Sequence, residues 1–146
     1  MTSAIRRGRG ERGSAVFEFI AVLPALLIMM FGIIEVSRLF LMISLTSDAA
    51  REGARTGSVT PLNGTAFNSA PAMAQISSVL AAGGVTSTSP TSVTCTPPAG
   101  AAAPCPSGSQ VRATVTVLFQ TVVPLLEVVF GEAGMTIQQI AIMRYE

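Results

Sequence analysis

The chain has 146 residues, of which 49% are hydrophobic and only 12% charged, against roughly 25% charged in ordinary soluble domains. Its mean hydropathy of +0.58 asks first for a membrane segment. Nine arginines face eight acids, and Lys, His and Trp are absent. Without His the commonest general base and metal ligand is missing, and two Cys cannot complete a four-ligand zinc site. Without Lys there is no Schiff-base or P-loop chemistry, so no catalytic residue, metal or cofactor is expected and an enzyme is disfavoured.

In chain order, Arg6, Arg7, Arg9 and Arg12 are opposed only by Glu11 within residues 1–13. This Gly-rich basic arm is expected to be disordered. An uncharged run of sixteen residues, Phe19 to Ile34, follows almost at once. That context makes the arm the cytoplasmic flank of a membrane helix rather than a nucleic-acid contact. The run rises roughly 24 Å, a little short of the roughly 30 Å hydrocarbon core. Residues 14–17 before it or 36–45 after it supply the missing length, with Glu18, Glu35 and Arg38 at its edges. The positive-inside rule then places the N-terminus in the cytoplasm and everything beyond about Leu45 outside. Two readings compete: an uncut, single-pass signal-anchored binding or sensor protein, and a secreted protein cut by ordinary signal peptidase, with Ser47-Asp-Ala-Ala50 as its nearest, late exit.

The junction reads Arg12-Gly13-Ser14-Ala15-Val16-Phe17-Glu18-Phe19. Gly, four residues, then Glu and an aromatic at the mouth of an apolar helix is the pattern that type IV prepilin peptidases recognise. The resemblance implies cleavage between Gly13 and Ser14, leaving Glu18 as the fifth residue of the mature chain. Gly13, lacking a side chain, suits an extended backbone in a protease cleft. Five arginines and seven acids would remain, a side-chain net of −2. A carboxylate at bilayer depth costs up to a few kcal/mol. In pilin filaments that Glu is thought to pair with the freed amine of a neighbouring subunit, which gives Glu18 and Phe19 an assembly role. The bland alternative is a helix-dipole contact of ~0.3–1 kcal/mol.

Two further stretches, Gly32-Ile-Ile-Glu35-Val-Ser-Arg38-Leu-Phe40 and Asp48-Ala-Ala-Arg51-Glu52-Gly53-Ala-Arg55, resemble the TadE-like family. These are pseudopilins, minor pilin-like proteins of tight-adherence (Flp) pilus systems. Met143-Arg144-Tyr145-Glu146 is similar to the end of many members. The resemblance implies a bacterial inner-membrane protein that crosses once and serves as a minor subunit or assembly factor of a tight-adherence pilus. Its implied partners are other pilin or pseudopilin subunits, the prepilin peptidase, the inner-membrane pilus assembly machinery and the lipid bilayer, with no nucleic acid.

The helix is expected to continue past Leu45, because no strong breaker occurs before Gly57 and Pro61. Asp48 with Arg51 and Glu52 with Arg55 are i,i+3 pairs of opposite sign. Ala49, Gly53 and Gly57 form a stripe of small residues that lets another element approach closely. That element is the protein's own globular part or a neighbouring subunit, unless the stripe is a solvated helix end. Glu35 and Arg38 read as a local ion pair or an interfacial snorkel without special function.

Beyond a loop over 58–70, Pro71–Ala82 reads as a short helix with Asn68 or Ser69 as cap and Gly83-Gly84 as stop. Met73, Ile76, Val79 and Leu80 share its apolar face. Residues 110–120 alternate cleanly, with Val111, Ala113, Val115, Val117 and Phe119 on one side. Residues 136–145 alternate less cleanly and 91–96 is a shorter candidate strand. The apolar stretch 121–131, broken by Pro124 and Glu127, is expected to pack on the core or to form an apolar patch. Cys95 and Cys105 read as a disulfide outside the cytoplasm; a metal or redox pair, or two free thiols, are the other readings. The architecture expected is α+β, organised as a basic leader over 1–13, a membrane helix and its extension over 14–57, and a small outer domain over 58–146. That outer domain holds one short helix and an antiparallel sheet of about three strands.

Overall fold

A computed structural model of the chain describes residues 11–64, 66–85, 91–101, 105–122 and 134–146. The basic arm over 1–10 and the apolar stretch over 123–133 lie outside the described residues.

Helix α1 runs unbroken from Glu11 to Val59, about 73 Å at 1.5 Å per residue. It begins inside the expected basic leader, with residues 11–13 forming its first turn. Pro24 lies inside it and removes one backbone hydrogen bond, a defect that membrane helices tolerate. The first half carries its apolar side chains outward, including Phe17, Phe19, Ile20, Met29 and Ile33. The most apolar window within Ala15–Val59 is only 6% buried. An apolar helix that the other described residues leave uncovered fits a membrane anchor, because water does not tolerate such a surface at this extent.

The second half of α1 is part of a core. Ala49, Ala50 and Ala54 are buried there, with Leu39, Met42, Ile43 and Leu45 packed beside them. Against this face lie helix α2, Ala70–Ala82, and a three-stranded sheet of β1 (Ser92–Thr96), β2 (Gln110–Phe119) and β3 (Met135–Arg144). The strands are antiparallel in the order β1-β2-β3. Register runs Cys95 opposite Val111 and Val111 opposite Met143. The five inward residues of β2, namely Val111, Ala113, Val115, Val117 and Phe119, are all fully buried, as the period-two pattern requires. The α+β architecture is therefore as expected.

Helix α2 presents Ala72, Ile76 and Leu80 to the core, with Met73 and Val79 at its margin. At its start the Ser69 side chain makes no capping bond; the Ala70 N–H donates to Asn68 Oδ1 at 3.2 Å instead. Gly134 enters β3 at φ +75°, and a Cβ there would lie 2.4 Å from the Phe119 carbonyl oxygen, so only glycine fits. Cys95 and Cys105 are disulfide-bonded, closing the Pro-rich loop beside the β1–β2 edge, worth roughly 3 kcal/mol on the loop-entropy account.

Candidate functional site: the membrane-proximal end of the helix–sheet junction

The residues singled out by the sequence fall at three levels along α1. At the lowest level, Gly13 and Ser14 sit in its first turns. The Gly13–Ser14 bond is thus helical rather than extended. A helix end lacks four of its backbone partners and opens at little cost, so a protease needs only to unwind this turn. Glu18 and Phe19 lie just beyond, both exposed on the uncovered part of the helix. Among the described residues, no hydrogen bond or ion pair reaches the Glu18 carboxylate on this outward apolar surface.

The middle level holds the densest polar arrangement. Glu35 is 1% exposed, because positions 35, 39, 42, 46 and 49 form the stripe of α1 that faces the core. Its Oε2 accepts from Arg38 Nη1 at 2.8 Å, the expected i,i+3 pair. Its Oε1 accepts the backbone N–H of Val122 at 2.7 Å, across 87 positions of sequence. The Arg38 guanidinium lies 5.6 Å from the centroid of the Phe119 ring, a cation–π distance worth about 0.5–1 kcal/mol at a partly exposed site. Reading Glu35 and Arg38 as a purely local pair is therefore incomplete. They tie the helix, where it leaves its uncovered half, to the segment that directly follows β2.

Hydrogen bonds to a charged acceptor contribute about 1.5–3 kcal/mol each, and leaving the donor unpaired adds to the loss. Glu35→Ala is expected to destabilise the globular part by about 2–3 kcal/mol, whereas Glu35→Gln, which keeps an acceptor of the same shape, loses roughly half of that. Thermal unfolding followed by circular dichroism in detergent checks both; equal melting temperatures for Glu35→Ala and wild type would refute the tether.

At the upper level lie Arg51, Glu52, Gly53 and Arg55. Arg51 and Arg55 are exposed. Glu52 and Arg55 pair at 3.7 Å on the surface, worth a few tenths of a kcal/mol; Asp48 and Arg51 do not form the expected pair. Gly53 and Gly57 carry the structural weight. A Cβ on Gly53 would sit 2.4 Å from Ile76 Cδ1, and one on Gly57 2.9 Å from Val111 Cγ1. The small-residue stripe thus faces the protein's own α2 and sheet.

The chain end is tied to the same helix. The Tyr145 hydroxyl donates to the Thr60 carbonyl at 2.9 Å, and the Glu146 N–H donates to the Ser58 carbonyl at 3.1 Å. The Phe67 and Tyr145 rings meet edge to face. Val122 and Thr60 were not singled out by the sequence, and Phe119 was read only as the end of an inward strand row. The available signal was the position of Glu35: a carboxylate on a core-facing stripe has to find partners inside the fold.

A family model described as TadE-like protein matches residues 13–55, a stretch that contains the junction, the uncovered helix, the Glu35–Arg38 pair and Gly53. No curated protein matches the chain, and no solved structure does.

Proposed function

Taking as premise that residues 13–55 are TadE-like, we propose that the protein is a pilin-like subunit or assembly factor of a tight-adherence pilus, cut by a prepilin peptidase between Gly13 and Ser14. The observation that carries this reading is the division of α1. One half is apolar and uncovered by the other described residues, and the other half is the spine of a small α+β body. The bilayer covers the first half while the subunit waits. Other pilin helices, which offer apolar flanks of the same kind, take over from the lipid on assembly.

Processing adds the chemistry that orders this exchange. Hydrolysis of the Gly13–Ser14 peptide by water leaves a carboxylate on the released leader and an ammonium on Ser14. That ammonium lies one helical turn from Glu18, close enough for either to pair with the opposite charge of an adjacent subunit. The N-terminus faces the cytoplasm and the disulfide-bonded body lies outside the inner membrane, where oxidation is favoured. Cleavage by ordinary signal peptidase near Ala50 fits less well, because Ala49 and Ala50 are buried in the core and the cut would sever the spine.

Glu18→Ala tests the assembly step apart from folding, since Glu18 is exposed and outside the globular core. The variant is expected to accumulate in the membrane at the wild-type level, processed, while surface pili or their export are lost. Normal piliation by Glu18→Ala would contradict the proposed role.

A further inference from the structure

The 20 residues from Ala15 to Ile34 rise about 30 Å, the thickness of the hydrocarbon core. With that stretch spanning the bilayer, Ile34 marks the edge of the hydrocarbon. The headgroup layer adds roughly 5–7 Å on each side, so Glu35 and Arg38 fall within it. Helical side chains lean toward the N-terminal end, which brings the Glu35 carboxylate and the Arg38 guanidinium closer still to the lipid. The Val122 amide is held 2.7 Å from that carboxylate. Val122 is nevertheless 70% exposed, and on the helix Val36 at 44% follows Glu35 directly, with Phe40 at 65% one turn above it.

An exposed valine tethered at headgroup level, beside a half-exposed arginine and two exposed apolar residues, is a surface suited to a lipid interface. We infer that the Thr121–Val122 segment following β2 is seated in the headgroup layer of the leaflet nearer the globular part. Val122 inserts among the upper acyl carbons, and Arg38, with one Nη committed to Glu35, offers its remaining N–H donors to lipid phosphate. The bilayer then holds the globular part at a fixed tilt as well as anchoring it. The occupant is lipid because the surface lies directly at the end of the apolar span and its cation matches the phosphate layer. This inference rests on the membrane-spanning reading of α1.

The absence of Trp makes single tryptophans clean depth reporters. Val122→Trp, Phe31→Trp and Val59→Trp are each reconstituted as the full chain into vesicles of phosphatidylcholine and phosphatidylglycerol. The lipid chains carry bromine either near the carbonyl or near the methyl end. Val122→Trp is expected to lose most of its fluorescence to the shallow bromines, Phe31→Trp to the deep ones, and Val59→Trp to neither. Val122→Trp behaving like Val59→Trp, with Phe31→Trp quenched, would overturn the seat and leave the span intact. An unquenched Phe31→Trp would overturn both.

Discussion

Phe119→Ala is expected to lower the stability of the globular part by about 3–5 kcal/mol, the range for a large aromatic truncated in a core. Phe119 is the largest of the fully buried side chains. It ends the inward row of β2, at the point where the sheet meets the membrane-proximal part of α1. Its loss leaves a cavity that neither strand nor helix can close. It also removes the ring beneath the Arg38 guanidinium and so loosens the Glu35 tether. Urea unfolding in mild detergent, followed by circular dichroism, measures the effect. Ile142→Ala, on the opposite face of β3 and half exposed, is the comparison and is expected to cost less than 1 kcal/mol. Similar losses for the two variants would place the core on the other side of the sheet.

Gly53→Leu carries the second large effect, and its smaller relative Gly53→Ala shows which term wins. In a helix interior, Gly→Ala alone stabilises by about 0.8–1.0 kcal/mol. At Gly53 the added Cβ would come within 2.4 Å of both Cδ1 and Cγ1 of Ile76, which is itself buried. Overpacking of this kind costs typically 1–3 kcal/mol, so Gly53→Ala is expected to be destabilising by roughly 1 kcal/mol net. Gly53→Leu forces α2 away from α1 and is expected to cost about 3 kcal/mol or more. Paired melting curves for the two variants check the order. A stabilised Gly53→Ala would mean that α2 does not pack on this face.

Much of this architecture can be read from local pattern. The inward row Val111 to Phe119 shows the period of a strand, α2 is bracketed by Pro71 and Gly83, and the uncharged run before Glu35 has the length and placement of a membrane helix. These features are legible because each is decided within a few residues by sterics or by one buried face. The small stripe at Ala49, Gly53 and Gly57 was legible as a packing face but not in its target, since a stripe that admits a partner does not name one. The Glu35 tether was illegible for a different reason. Its second partner is a backbone N–H, which has no sequence identity, and it lies 87 positions away. Helix bounds shifted too: α1 begins at Glu11 and passes through Gly13, because glycine weakens a helix without forbidding it.

The central claim is that α1 is a pilin-type helix whose leader is removed. It is tested most directly by the mature N-terminus, determined by mass spectrometry on the membrane-purified protein. The protein is taken from a host with its prepilin peptidase and from one lacking it. The account predicts a chain beginning at Ser14 only where the peptidase is present, and an intact leader where it is not. A chain that keeps Met1 in both hosts, or that begins after Ala50, would contradict it.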